Sequence, residues 1–135
     1  MAETATRELI EKNTTMDRRL DHIFTNLYFE LIRFQNLKDM QGVLDCIHHE
    51  SLGRFNAKKI LEPLFDQFTL INTITGHRYV GNDGEYIYYR FKQKIEKIAG
   101  PAFKNMCTEN LVLFKPQEGE WKVWDQLVLM MKIIS

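Results

Sequence analysis

Residues 85–98 alternate without a break. Ile87, Tyr89, Phe91 and Ile95 share one phase, and Tyr86, Tyr88, Arg90, Lys92, Lys94 and Glu96 share the other. Period two with one apolar phase predicts a half-buried antiparallel strand. Its fourteen residues would span roughly 45 Å when extended. A single domain of 135 residues has a radius of gyration of only ~14 Å. A straight strand would project beyond the globule, so the sheet must curl, and a curled sheet encloses a hollow.

The rest of the second half supplies partners for that strand. Thr69 to Val80 is rich in β-branched and aromatic residues, with Gly76 marking a bulge or bend. Gly81-Asn82-Asp83-Gly84 is a hairpin turn signal between the two. Ala99-Gly100-Pro101 turns the chain into a third strand, Phe103 to Lys115. Pro116 to Gly119 is the last turn, and the final strand runs to Ile134. In it Trp121, Val123, Asp125, Leu127, Leu129 and Met131 are expected to share one face.

The first half is helical. Residues 1–14 form a flexible or short helical lead-in, and residues 15–135 a single domain. Met16, Leu20, Ile23, Phe24, Leu27, Tyr28, Leu31 and Phe34 recur every three or four residues, which is one apolar stripe on a helix. Thr14 or Thr15 can cap its start. Asn36 is expected to break this helix and cap a second, in which Leu37, Met40, Val43, Leu44 and Ile47 form the stripe. Gly42 within it would admit a close neighbour. Residues 54–68 read either as one short helix kinked at Pro63 or as a short strand followed by a helix begun there, and the single helix is favoured.

Composition narrows the function. Eighteen basic side chains balance 18 acidic ones, which argues against a nucleic-acid or anionic-membrane surface. Tyr86, Tyr88, Arg90, Lys92 and Lys94 read as a solvated sheet face or a dimer rim rather than a single-strand platform. Cys46 and Cys107 stand in no metal-type spacing and read as reduced core thiols of a cytoplasmic protein. His48 and His49 are adjacent and would point different ways on a helix, and His22 and His77 are isolated in sequence, so no metal is expected, and no cofactor motif is present.

Three patterns converge on one family. Asn36-Leu37-Lys38-Asp39 opens the second helix, Gly81-Asn82-Asp83-Gly84 joins long strands, and Glu118-Gly119-Glu120-Trp121-Lys122-Val123 opens the last one. With helices followed by a four-strand meander, the chain resembles the nuclear transport factor 2-like superfamily, also known as the SnoaL-like or ketosteroid isomerase-like cone fold. The resemblance implies an α+β cone, in which helices pack on a strongly curved, mainly antiparallel sheet around a deep apolar cavity. It also implies a homodimer through the outer face of the sheet.

Two functional readings follow from the resemblance. In one the cavity binds a small apolar or aromatic organic ligand, lined by Tyr28, Leu31, Leu44, Ile87, Tyr89, Phe91, Trp121, Val123 and Asp125. In the other the protein is a cofactor-independent isomerase, cyclase or dehydratase. There Asp125, a carboxylate in an apolar pocket, is the general base, and Tyr28 and His49 are further catalytic positions. The steroid-isomerase pattern also needs an acid after the second helix, which has no counterpart among Ser51, Leu52, Gly53, Arg54 and Phe55. A third possibility is a protein-interaction scaffold whose cavity is filled by its own side chains.

Overall fold

In the computed structural model residues 16–134 are described; the expected lead-in lies outside them. Helix α1 is Arg18–Asn36, α2 is Met40–Asp45 and α3 is Leu52–Gln67, followed by strands β1 (Thr69–Asn82), β2 (Ile87–Ala99), β3 (Met106–Gln117) and β4 (Glu120–Ile133). The strands form one antiparallel meander in the order β1-β2-β3-β4. The helices pack on its concave face, so the architecture is the expected α+β cone.

Helix α1 begins at Asp17, whose carboxylate accepts the Arg19 N–H at 2.8 Å. Its apolar stripe buries Leu20, Phe24, Tyr28, Leu31 and Ile32. Asn36 does not cap the second helix. It is the last residue of α1, and Lys38 at φ 57° reverses the chain after it. Asp39 takes the capping role and accepts the Gly42 N–H at 3.0 Å. The Asn36 amide instead clasps Asn72 of β1: it donates to the Asn72 carbonyl at 3.0 Å and accepts the Asn72 backbone N–H at 2.8 Å. Residues 54–67 lie within the single helix α3, with Pro63 inside it and Ser51 as its cap.

The sheet curls through bulges. Extra residues at Thr75 and Val80 of β1, and at Trp124 and Leu129 of β4, shift the register. The inward phase of β2 and β3 contains Ile87, Tyr89, Phe91, Val112 and Phe114, all buried. These residues close on Phe24 and Tyr28. Phe24 lies 5.6 Å from Tyr89, 5.2 Å from Phe114 and 4.8 Å from Trp121, and Tyr28 stacks on Phe91 at 4.1 Å. Aromatic packing of this kind exceeds its area burial by about 0.5–1.5 kcal/mol per pair. One end of the cone is therefore solid core.

Candidate functional site

The hollow lies at the other end. A space of about 310 Å³ sits under α3, walled by Leu61, Leu64, Phe65, Phe68, Leu70, Ile95, Phe103 and Met106. Its polar lining is Gln35, Lys38, Asn72, Gln93 and Gln126. A second space of about 400 Å³ lies between α3 and β4 and shares Gln35, Leu61 and Gln126 with the first. The two meet at those three side chains. Helix α3 roofs both and buries none of its residues fully; Leu52, Phe55 and Ile60 are 80%, 68% and 60% exposed.

A belt of neutral hydrogen-bonding groups separates the hollow from the solid core. Gln93 is at its centre. Its Oε1 accepts the Tyr28 hydroxyl at 2.8 Å and the Asn110 Nδ2 at 3.3 Å, and its Nε2 donates to Asn72 Oδ1 at 2.9 Å. Asn110 also donates to Thr108 Oγ1 at 3.2 Å, and its own Oδ1 is buried and accepts no hydrogen bond among the described residues. Burial pushes the Tyr28 phenol above its ordinary value, which the neighbouring Asn110 and Gln126 amides offset in part. The phenol stays protonated and donates. Among the described residues no carboxylate and no imidazole lines the 310 Å³ space.

This arrangement relocates the expected site residues. Tyr28, Ile87, Tyr89 and Phe91 belong to the packed core rather than a cavity wall, while Leu31 and Val123 line the second hollow. Leu44 is half-buried beside neither hollow, and Trp121 borders a shallow external groove with Ile23 and Leu27. Asp125 does not continue the Trp121–Val123 phase. Phe114 pairs with Val123 but Leu113 pairs with Asp125, so the extra residue Trp124 switches the faces. Gln126, opposite buried Val112, takes the inward place, and Asp125 is exposed at the rim of the second hollow. Its Oδ1 accepts the Gln126 N–H at 2.8 Å.

The histidines have structural work. His48 is buried; its Nδ1 accepts the Glu50 N–H at 3.1 Å, so Nε2 carries the proton and donates to the Pro116 carbonyl at 3.0 Å. His49 is exposed, stacks on His48 at 5.0 Å, and its backbone N–H donates to Gln117 Oε1 at 2.7 Å. Both fasten the end of α2 to the β3–β4 hairpin, away from the hollow. Among the described residues no cluster of three or more His, Cys, Asp or Glu could hold a metal.

The belt has only a partial signal in the sequence. Gln93 was open to view, since it is the polar member of the β2 inward phase between Phe91 and Ile95. Gln126 was not, because only the bulge turns it inward.

Residues 30–134 match the model of the C-terminal domain of anti-sigma-I factor RsgI9. The chain belongs to that family. Within the RsgI9 C-terminal-domain family no activity follows from the match itself. Among curated proteins none matches the sequence. Solved structures match over the fold. Aln2 from a Streptomyces species superposes with a TM-score of 0.69 at 8% identity, covering 85% of this chain and 93% of that one. The β subunit of benzoate 1,2-dioxygenase from Burkholderia mallei gives 0.66 at 11%, covering 86% and 91%. Hexachlorocyclohexane dehydrochlorinase LinA-type3 from Novosphingobium barchaimii gives 0.66 at 8%, covering 87% and 91%. At these identities the likeness establishes the nuclear transport factor 2-like fold alone. No helix among the described residues is long and apolar enough to cross a membrane.

Proposed function

We propose that this domain binds one small apolar or aromatic organic molecule under α3, with a polar group of the ligand turned to the amide belt. The observation that carries the reading is the 310 Å³ hollow with apolar walls and a floor of Gln35, Asn72, Gln93 and Gln126. Binding sites for small molecules commonly start near ~300 Å³, with few polar groups among apolar walls. Neutral amides recognise carbonyl, hydroxyl or amide groups and neither add nor remove a proton at neutral pH. Binding without reaction suits this lining better than general-base catalysis, which would need a carboxylate inside. Asp125, at the far rim, does not supply one.

The same reading includes a homodimer through the outer sheet face, supported by Leu111, Leu113, Leu127 and Met130 sharing the outer phase of β3 and β4. It includes a cytoplasmic location, supported by two unpaired thiols, Cys46 and Cys107. Titration calorimetry with 6-phenylhexanamide, an apolar body with one neutral polar group, tests the binding claim. Saturable one-to-one binding is expected in the wild type and its loss in Leu61→Trp, which fills the junction of the two hollows. Leu61→Ala should still bind. A folded wild type with no saturable heat would overturn the reading.

A further inference from the structure

The charge on the wall says more about the ligand than its apolar character does. Among the described residues Lys38 is the one ionic side chain on the lining of the 310 Å³ hollow. Its ammonium reaches across the mouth and donates to the Phe65 carbonyl of α3 at 2.9 Å. An ammonium has three donors, so two remain. Lys38 takes part in none of the ion pairs of the described residues. The adjacent carboxylate, Asp39, is turned away to cap α2 through the Gly42 N–H. The backbone around Lys38 is held, with its N–H donating to the Gln35 carbonyl at 3.0 Å and the Asp39 N–H to the Phe34 carbonyl at 2.9 Å. The cation is thus placed by structure at the entrance of an apolar space.

The second hollow carries the opposite sign. Among the described residues Asp125 is the one ionic residue on its wall. The two hollows meet at Gln35, Leu61 and Gln126. The combined space under α3 therefore runs from a cationic mouth, past two neutral amides, to an acidic rim.

Resting on the ligand-binding reading above, we infer that the natural ligand is an elongated amphiphilic carboxylate whose anionic end lies at Lys38. Its apolar body lies under α3, directed away from that mouth. A carboxylate at the other end would meet Asp125 and be repelled, so the ligand has one orientation. This names the chemical class, an apolar or aryl-alkyl monocarboxylic acid, and a residue that selects it.

The test compares 6-phenylhexanoate with 6-phenylhexanamide by titration calorimetry at pH 7.5, in the wild type, Lys38→Met and Lys38→Arg. The two probes differ only at the end group. The carboxylate should bind the wild type about fivefold tighter, the scale of a solvent-touched ion pair. Raising the salt concentration should erode that preference. Lys38→Met should remove the preference, and Lys38→Arg should restore it. If the amide binds the wild type as tightly as the carboxylate, or if the preference survives in Lys38→Met, the inference fails while the hollow remains a binding site. If neither probe binds the folded wild type, the ligand-binding reading itself fails and takes this inference with it.

Discussion

Replacing Gln93 with leucine is the sharpest perturbation of the belt. The side chains are of similar size, so the substitution leaves the volume nearly unchanged and removes hydrogen bonds alone. Three partners lose Gln93: the Tyr28 hydroxyl, the Asn110 Nδ2 and the Asn72 Oδ1. Asn110 keeps Thr108 Oγ1, and Asn72 sits in the half-buried layer, so both losses are partial. Tyr28 is fully buried, and its hydroxyl would lose its closest acceptor. An unsatisfied buried polar group costs about 1–3 kcal/mol. With the two partial losses, Gln93→Leu should destabilise the domain by roughly 2–4 kcal/mol. Urea unfolding followed by circular dichroism measures this as a fall in midpoint at unchanged slope. Tyr28→Phe in the Gln93→Leu background removes the orphaned hydroxyl and should cost less than in the wild type, a coupling of about 1 kcal/mol or more in the double-mutant cycle. A loss below about 1 kcal/mol for Gln93→Leu would show that the belt is open to water and does not divide the core from a dry hollow.

Other expectations are more local. Gly42→Ala gains about 1 kcal/mol of helix propensity, but its Cβ would fall 2.4 Å from Phe34 Cδ1. Overpacking of about 1–3 kcal/mol should win, giving a net loss in chemical denaturation, and a stabilised variant would refute the close approach. Asn36→Ala removes both ties to β1 and should cost about 1–3 kcal/mol, with increased amide exchange at Asn72 as its local signature. Burial pushes the Cys46 thiol up to about 11 from 9.0. The folded state thus holds a proton that the unfolded state releases, so its share of stability is present below pH 9 and falls as the pH rises towards 11. Cys46 should accordingly resist iodoacetamide at pH 8.5 until the domain unfolds, as read by peptide mass mapping. Leu127→Glu places a charge on the proposed dimer face and should lower the solution mass to that of a monomer by light scattering.

The long strands were readable because alternation is a local property of the chain. The β2 phase of Ile87, Tyr89 and Phe91 is the phase found buried, and its length forced the curl. The meander order followed from the turn residues, with Asp83 accepting the Glu85 and Tyr86 N–H groups at 3.0 and 2.8 Å to close the first hairpin. The single helix through Pro63 was readable from its apolar period. The site was harder. A bulge is fixed by pairing with a neighbouring strand, and alternation carried past Trp124 assigns Asp125 and Gln126 to the wrong faces. The position of the hollow depends on which apolar residues meet. Phe24, Tyr28, Tyr89, Phe91 and Phe114 fill one end from three different elements, and that closure leaves the space at the other end. The role of Asn36 shows the same limit, since a helix-ending amide and a helix-starting one look alike until Asn72 is placed beside it.

Native mass spectrometry of the purified protein, before and after denaturation, tests the central claim most directly. The account predicts a folded species carrying one small organic molecule per chain, released on unfolding and absent from Leu61→Trp. A folded wild type that shows only the bare chain mass, and that acquires no adduct with either 6-phenylhexanoate or 6-phenylhexanamide, would contradict it.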